Sequence, residues 1–318
     1  MKIIVFKIIE VVLFPISLLS AIWMKFLTLG GIHRTLLAEK TFLFFGFLPI
    51  RDHYYQPLIN PKKHLSKTLS KDRNLVGIDF NINAQLNLLQ QFSYNEELKL
   101  FPVNKTSELQ YYYNNNSFES GDAEYLYNII RFFKPTNIVE IGSGYSTLIV
   151  EKALKKNSEE DDNFISKHIC VEPYEQPWLE KTDAKIIRKK VENIELSFFK
   201  LLNKDDVLFI DSSHVIRPQG DVLYEILEIL PSLNSGVLIH IHDVFTPKDY
   251  PNDWVIKEHR LWNEQYLLEA FLSNNKDFEI IGSLNYLIHN HPEELKGIAP
   301  ILKIQKGREP GSFWIRKK

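Results

Sequence analysis

The sequence predicts an α/β fold, a mostly parallel sheet with helices on both faces, from Ser120 to the end of the chain. Three observations carry that prediction. Short apolar runs alternate with amphipathic stretches throughout this region. The runs at 206–211 (DVLFID) and 236–241 (GVLIHI) are continuously apolar rather than alternating, which means burial on both faces of a sheet. Glycine, acidic and histidine residues cluster directly after the runs, at the strand ends where open parallel sheets bind ligands.

The elements follow in order. Leu126, Ile129, Ile130 and Phe133 recur at helical spacing, and Pro135 closes that helix. Strands are expected at 137–141 (NIVEI), 168–172 (HICVE), 184–187, 206–211, 236–241, 278–281 and 312–316 (SFWIR). Helices are expected between them at 146–154, 194–202, 221–230 and 262–272, the third closed by Pro231. The domain therefore spans 120–318. Upstream, residues 51–119 read as a cap or substrate region. Within it, 51–61 is an aromatic and polar loop, 86–100 has helix-period apolar residues, and 111–116 (YYYNNN) reads as an exposed loop.

Residues 1–50 form a third, hydrophobic helical segment. The uncharged stretch Val11–Met24 lies between Glu10 and Lys25. It is shorter than the about 20 residues of a comfortable membrane span, and Pro15 is expected to kink it. No small-x-small cleavage site marks a signal peptide. Together with the apolar run 41–50 (TFLFFGFLPI), this segment reads as an anchor in or on a membrane surface. Packing on the main domain, or a dimer seam, is the competing reading.

Composition narrows the function classes. The 318 residues are 44% hydrophobic and 13% aromatic, enough for a core, so a disordered chain is excluded. Lys and Arg number 38 against 40 Asp and Glu, which builds no broad basic field, so nucleic acid is not an expected partner. The single cysteine, Cys170, excludes an internal disulfide and a thiolate metal cluster, and fits a reducing compartment.

The first strand runs into Glu140-Ile-Gly142-Ser143-Gly144-Tyr-Ser146. Glycines let the chain turn sharply and let a ligand approach, and the helix that follows points free N–H groups at it. The next strand ends on Glu172, a carboxylate placed to accept ribose hydroxyls. The spacing alone also suits a dinucleotide, but the third glycine of a G-x-G-x-x-G fingerprint is missing.

With these residues, the region from Ser120 onward resembles the class I S-adenosylmethionine-dependent methyltransferases. The resemblance implies a Rossmann-like sheet of seven strands whose last strand inserts antiparallel. It also implies S-adenosylmethionine as cofactor, bound by Glu140, Gly142, Ser143, Gly144, Ser146, Glu172 and Asp211. Ser146 stands where the family commonly has a third glycine.

Two further strand ends carry costly polar groups, Asp211-Ser-Ser-His214 and His240-Ile-His242-Asp243. Asp211, His242 and Asp243 leave neighbouring strands, and two carboxylates with an imidazole suit Mg²⁺ or Mn²⁺. His214 is the candidate general base. His240 reads as a core histidine. The stretch is also similar to the catechol-type, cephalosporin-hydroxylase-like and sugar O-methyltransferases, where Asp211 and Asp243 match Mg²⁺-binding positions. His242 stands where an acid is more usual there, so its alternative role is the base of a metal-free site.

Asp243 begins a long loop through Tyr250 to Trp254, expected to lid the site. Arg51-Asp-His-Tyr-Tyr55 and Trp262-Asn-Glu-Gln-Tyr-Leu-Leu268 are similar to motifs of a bacterial methyltransferase family of unassigned acceptor. Asp52, His53 and Tyr54 are candidate acceptor-site residues; a buried polar cluster is the competing reading.

The sequence thus points to O-methylation of a hydroxyl, on a small molecule, a glycan or a lipid-linked sugar, in the cytoplasm and at a membrane surface. The rival readings are a nucleotide-binding oxidoreductase or hydroxylase-like enzyme on the same fold, and a non-catalytic membrane-associated scaffold. Oligomeric state stays open.

Overall fold

The structure is a computed structural model that describes residues 2–318 apart from Tyr54, with side chains described from Phe6 onward. The chain divides into two compact units, Met1–Thr68 and Leu69–Lys318. The expected 51–119 region is therefore split, its greater part belonging to the C-terminal unit.

In the N-terminal unit, α1 (Lys2–Thr28) is continuous through Glu10, Pro15 and Lys25. Its end comes at Gly30-Gly31, where Gly31 takes φ 89°, and α2 (Leu36–Phe44) follows. The apolar stretch is therefore longer than the sequence reading allowed. Isolated charges do not end a helix; a residue with positive φ does. By length and composition, Phe6–Thr28 is able to cross a membrane: 23 residues, mean hydropathy 1.9, with none of its most apolar 18-residue window buried.

The C-terminal unit runs α3 (Ile82–Leu89), α4 (Asp122–Phe133), β1 (Asn137–Ile141), α5 (Tyr145–Glu160), β2 (Lys167–Val171), β3 (Lys185–Ile187), β4 (Val207–Ile210), α6 (Asp221–Tyr224), β5 (Leu238–Ile241), α7 (Glu264–Leu272), β6 (Phe278–Ser283), α8 (Leu284–Asn290), α9 (Pro292–Ile298) and β7 (Phe313–Lys317). The sheet order is β3-β2-β1-β4-β5-β7-β6, with β7 antiparallel to both of its neighbours. This is the seven-stranded, mostly parallel sheet that the sequence predicts.

Alternation along each strand splits the core into two layers. Ile138, Phe209 and Leu238 face a layer with α4 and α5. Val139, Ile141, Leu208, Ile210, Ile239 and Ile241 face a layer with Val222, Ile226 and Leu268. Because β1, β2, β4 and β5 are buried on both faces along most of their length, polar side chains concentrate at their ends.

Three local expectations are corrected. Residues 194–202 are not α-helical; 3₁₀ turns occupy Val191–Asn193 and Leu196–Leu201. Pro231 does not close the 221–230 helix. The chain widens into a π-turn at Glu225–Ile229 and continues through Leu230–Ser232, because a residue without an N–H cannot make the i−4 bond. Residues 111–116 form a loop, but not an exposed one. Tyr111 and Tyr113 are fully buried, their hydroxyls donating to the carbonyls of Phe118 and Leu98, both at 2.9 Å. A tyrosine whose hydroxyl finds a partner gains from burying its ring.

Arg131 ties this upstream segment to the sheet domain. Its buried guanidinium donates to Glu97 at 2.8 Å and also bonds Asn157 and Glu160.

Candidate functional site

The glycine turn after β1 is forced by crowding. Gly142 has φ 78°, and a Cβ there would lie 1.7 Å from the carbonyl oxygen of Asp211. Two backbone bonds draw these chains together: Gly142 N–H donates to Val171 O at 3.0 Å, and Asp211 N–H to Ile141 O at 2.8 Å. Only glycine fits between them. At Gly144 an added Cβ would meet nothing within 4 Å, so open space lies directly above the turn.

Glu140 supports the turn from below. It is fully buried and accepts from Ser146 Oγ at 2.7 Å, from Thr147 Oγ1 at 3.2 Å and from the His168 ring. Burial lowers the basicity of His168, but Cys170 and Glu140 outweigh it and hold the ring up to about 10. Glu140 and His168 are thus a buried ion pair with the Cys170 thiol beside it, and His168 Nδ1 has no hydrogen-bond partner among the described residues.

Two cavities flank the turn. One, of about 400 Å³, is lined by Gly142, Glu172, Glu175, Asp211, Ser213 and Arg217 among others. The other, of about 180 Å³, is lined by Phe118, Ser143, Gly144, Ser146, Glu172 and Asp211 among others. Glu172 and Asp211 border both. One oxygen of Glu172 accepts from the N–H groups of Tyr174 and Glu175, each at 2.8 Å, and the other from Ser143 N–H at 3.3 Å. A carboxylate has about four acceptor sites, so capacity for a ligand hydroxyl remains. Ser143 Oγ is buried with no hydrogen-bond partner among the described residues, a polar atom that a bound ligand would satisfy. Together the two cavities present carboxylate acceptors and an unpartnered hydroxyl, groups suited to a hydroxylated ligand. Gly142, Ser143, Gly144, Ser146, Glu172 and Asp211 all line them, and Glu140 holds the turn's shape.

At the next strand ends, Asp211, His214 and Asp243 each offer a donor atom, all within 4.8 Å of one another. His214 Nε2 lies 3.2 Å from Asp211 Oδ1 and 3.7 Å from Asp243 Oδ2. Both His214 and Asp243 have left-handed backbones, φ 60° and 54°. Strain of this kind concentrates at functional sites. Gly311 packs on Asp243, where a Cβ would come within 3.1 Å of the Asp243 Cα.

His242, expected in the metal set, is not one of these three donors. Its Nε2 is 3.6 Å from Asp243 Oδ1, but its ring packs beside Phe118 at 5.2 Å, on the strand face it shares with His240. His240 is buried and bonded to Ser312 Oγ at 2.8 Å, a core histidine as read.

Glu264 is the residue that sequence reading missed. Its Oε2 meets His214 Nδ1 at 2.8 Å, and it is buried. The available signal was an acid in the Trp262–Leu268 motif, at the start of an otherwise apolar helix. Burial pushes the Asp211 carboxyl up, but His242 and His214 outweigh it and hold it at about 2. Burial lowers His214, yet Asp211 and Glu264 raise it well above an ordinary histidine. Burial raises Asp243 and Glu264. Three carboxylates around one imidazole leave net negative charge, which suits a cation.

The remaining candidates, Asp52 and His53, belong to the N-terminal unit. Asp52 accepts from His64 Nε2 at 3.0 Å, Asn60 N–H at 3.2 Å and Lys63 Nζ at 3.4 Å. His53 lies beside Tyr55, ring centroids 5.4 Å apart. Tyr54 lies outside the described residues.

Comparison with known proteins bears on the domain that holds these residues. A family model described as a methyltransferase domain matches residues 139–244, from β1 through the loop after β5. A protein of Archaeoglobus fulgidus is 30% identical over 165 residues, 48% of this chain and 73% of that one. Among solved structures, the O-methyltransferase of Bacillus cereus in complex with S-adenosylhomocysteine is 14% identical, covering 74% of this chain and 91% of its own, with TM-score 0.36. The O-methyltransferase TomG of Streptomyces achromogenes, in complex with S-adenosylmethionine, is 13% identical, covering 74% and 88%, with TM-score 0.36. Likenesses this remote assign neither acceptor nor ion. The matched segment carries the glycine turn, Glu172, Asp211 and Asp243 together, and residues 139–244 form a methyltransferase domain.

Proposed function

We propose that the enzyme methylates a hydroxyl oxygen, and that the acceptor is a sugar, in a glycan or on a lipid carrier. The observation that carries O-methylation is the convergence of Asp211, His214 and Asp243 beside the cofactor cavities, which Asp211 itself borders. When bound, S-adenosylmethionine supplies the methyl group, and a divalent ion held by Asp211, His214 and Asp243 supplies charge that favours the acceptor alkoxide. The chain's own part is to orient and to move a proton. Glu172 and Ser143 offer hydrogen bonds across the two cavities, and Gly144 leaves room above the turn. Without the ion, His214 Nε2 is instead the atom placed to take the hydroxyl proton, since its Nδ1 is held by Glu264. Transfer of a methyl group is an in-line displacement, so positioning supplies much of the rate.

Mass spectrometry of small molecules that copurify with the chain tests the cofactor; a retained nicotinamide would move the reading to an oxidoreductase. Glu172→Ala is expected to weaken S-adenosylhomocysteine binding by about 1.5–3 kcal/mol, the scale of hydrogen bonds to a charged group. Calorimetry showing equal affinity would remove Glu172 from the site. Radiolabelled methyl transfer to glycan and lipid fractions, with and without EDTA, tests acceptor and ion together. Full activity in EDTA would withdraw the ion and leave His214 as the base.

The exposed apolar helix Phe6–Thr28 supports a lipid-linked acceptor. The full-length chain is expected to float with liposomes, and a chain starting at Leu69 to remain in the aqueous fraction. Flotation of neither would remove the membrane from this reading.

A further inference from the structure

The third carboxylate at His214 comes from far along the chain and touches neither cofactor cavity described above. Glu264 opens α7 and is 1% exposed. It meets His214 Nδ1 at 2.8 Å. The same segment also grips the His214 backbone. The N–H groups of Asn263 and Glu264 donate to His214 O at 3.1 and 3.2 Å, and Asn263 Oδ1 accepts from Ile216 N–H at 2.6 Å. Trp262 packs on the imidazole, ring centroids 4.3 Å apart. His214 is therefore held in a left-handed backbone conformation that an isolated histidine disfavours.

We propose that Glu264 is the positioning residue of the site: it keeps a proton on His214 Nδ1 and aims Nε2 at Asp211 and Asp243. An ionised carboxylate only accepts, so the ring nitrogen facing it must donate. The other nitrogen then faces the acceptor oxygen or an ion, as second carboxylates do for metal-bound histidines. This inference rests on the reading of Asp211, His214 and Asp243 as the centre that handles the acceptor oxygen.

The test uses the full chain in detergent, with Mn²⁺ and S-adenosylhomocysteine as probes. Proton NMR should show a downfield, exchange-protected histidine Nδ1–H that His214→Ala removes. It should move upfield in Glu264→Gln and vanish in Glu264→Leu. Mn²⁺ affinity, followed by electron paramagnetic resonance, should fall about 10–100-fold in Glu264→Gln, with S-adenosylhomocysteine affinity unchanged. A resonance unmoved in Glu264→Gln would overturn the proposal. So would Mn²⁺ and S-adenosylhomocysteine affinities falling together with the melting temperature, which would make Glu264 a support of the fold alone. Should the wild type bind no Mn²⁺, the ion leaves the underlying reading, and the resonance by itself decides for or against Glu264.

Discussion

His214→Ala is expected to lower methyl transfer by about 10²–10⁴-fold, the usual contribution of a positioned general base. The binding of S-adenosylhomocysteine should not change, because His214 does not line either cofactor cavity. Thermal stability should fall as well. Removing the ring leaves the buried Glu264 carboxylate without its partner, a loss of roughly 1–3 kcal/mol. Single-turnover assays with calorimetry on the same preparation separate the two effects. A variant that turns over normally would show that the proton leaves by another route, with His242 the next residue to test. A variant that loses cofactor binding and turnover in equal measure would show that His214 holds the site's shape rather than moving a proton.

Gly142→Ala should act on the other half of the site, and mainly through structure. The new methyl group would fall 1.7 Å from the Asp211 carbonyl oxygen, and φ 78° is itself unfavourable for alanine. The left-handed backbone costs roughly 1–2 kcal/mol. Overpacking adds roughly 1–3 kcal/mol when the neighbours can give way. Here the neighbour is backbone, fixed by the bond from Asp211 N–H to Ile141 O, so the turn must shift. Cofactor affinity should drop below detection, and Asp211 should be displaced from His214 at the same time. Gly144→Ala provides the contrast. Nothing lies within 4 Å of its added Cβ, and its φ of −175° is open to any residue. That variant should fold as the wild type does and lose affinity only by occupying the ligand's space. Equal melting temperatures for Gly142→Ala and the wild type would contradict this account of the turn.

The parts of this protein legible in its sequence are those governed by local rules. Continuous apolar runs mark strands buried on both faces, and β1, β2, β4 and β5 sit where those runs are, within one or two residues. Gly142 was legible because a sharp turn after a strand demands glycine, and Glu172, Asp211 and Asp243 because an acid after a buried strand has few other uses. The length of the N-terminal apolar stretch was underread because Glu10 and Lys25 were taken as its bounds, whereas the helix runs from Lys2 to Thr28 and the backbone break lies at Gly30-Gly31. The buried tyrosines at 111 and 113 were missed because polar neighbours suggest exposure, and only the fold supplies the carbonyls of Leu98 and Phe118 that satisfy their hydroxyls. The make-up of the candidate site around His214 was decided by tertiary structure alone. His242 and Asp243 are adjacent in sequence, yet Asp243 turns towards His214 through a left-handed backbone while His242 stays on the face of Phe118. Glu264 reaches His214 across 50 positions of chain. Periodicity and turn chemistry act over a few residues. Which side chains converge at a strand end depends on crossover connections and on the φ angles of non-glycine residues, and neither is written in any local pattern.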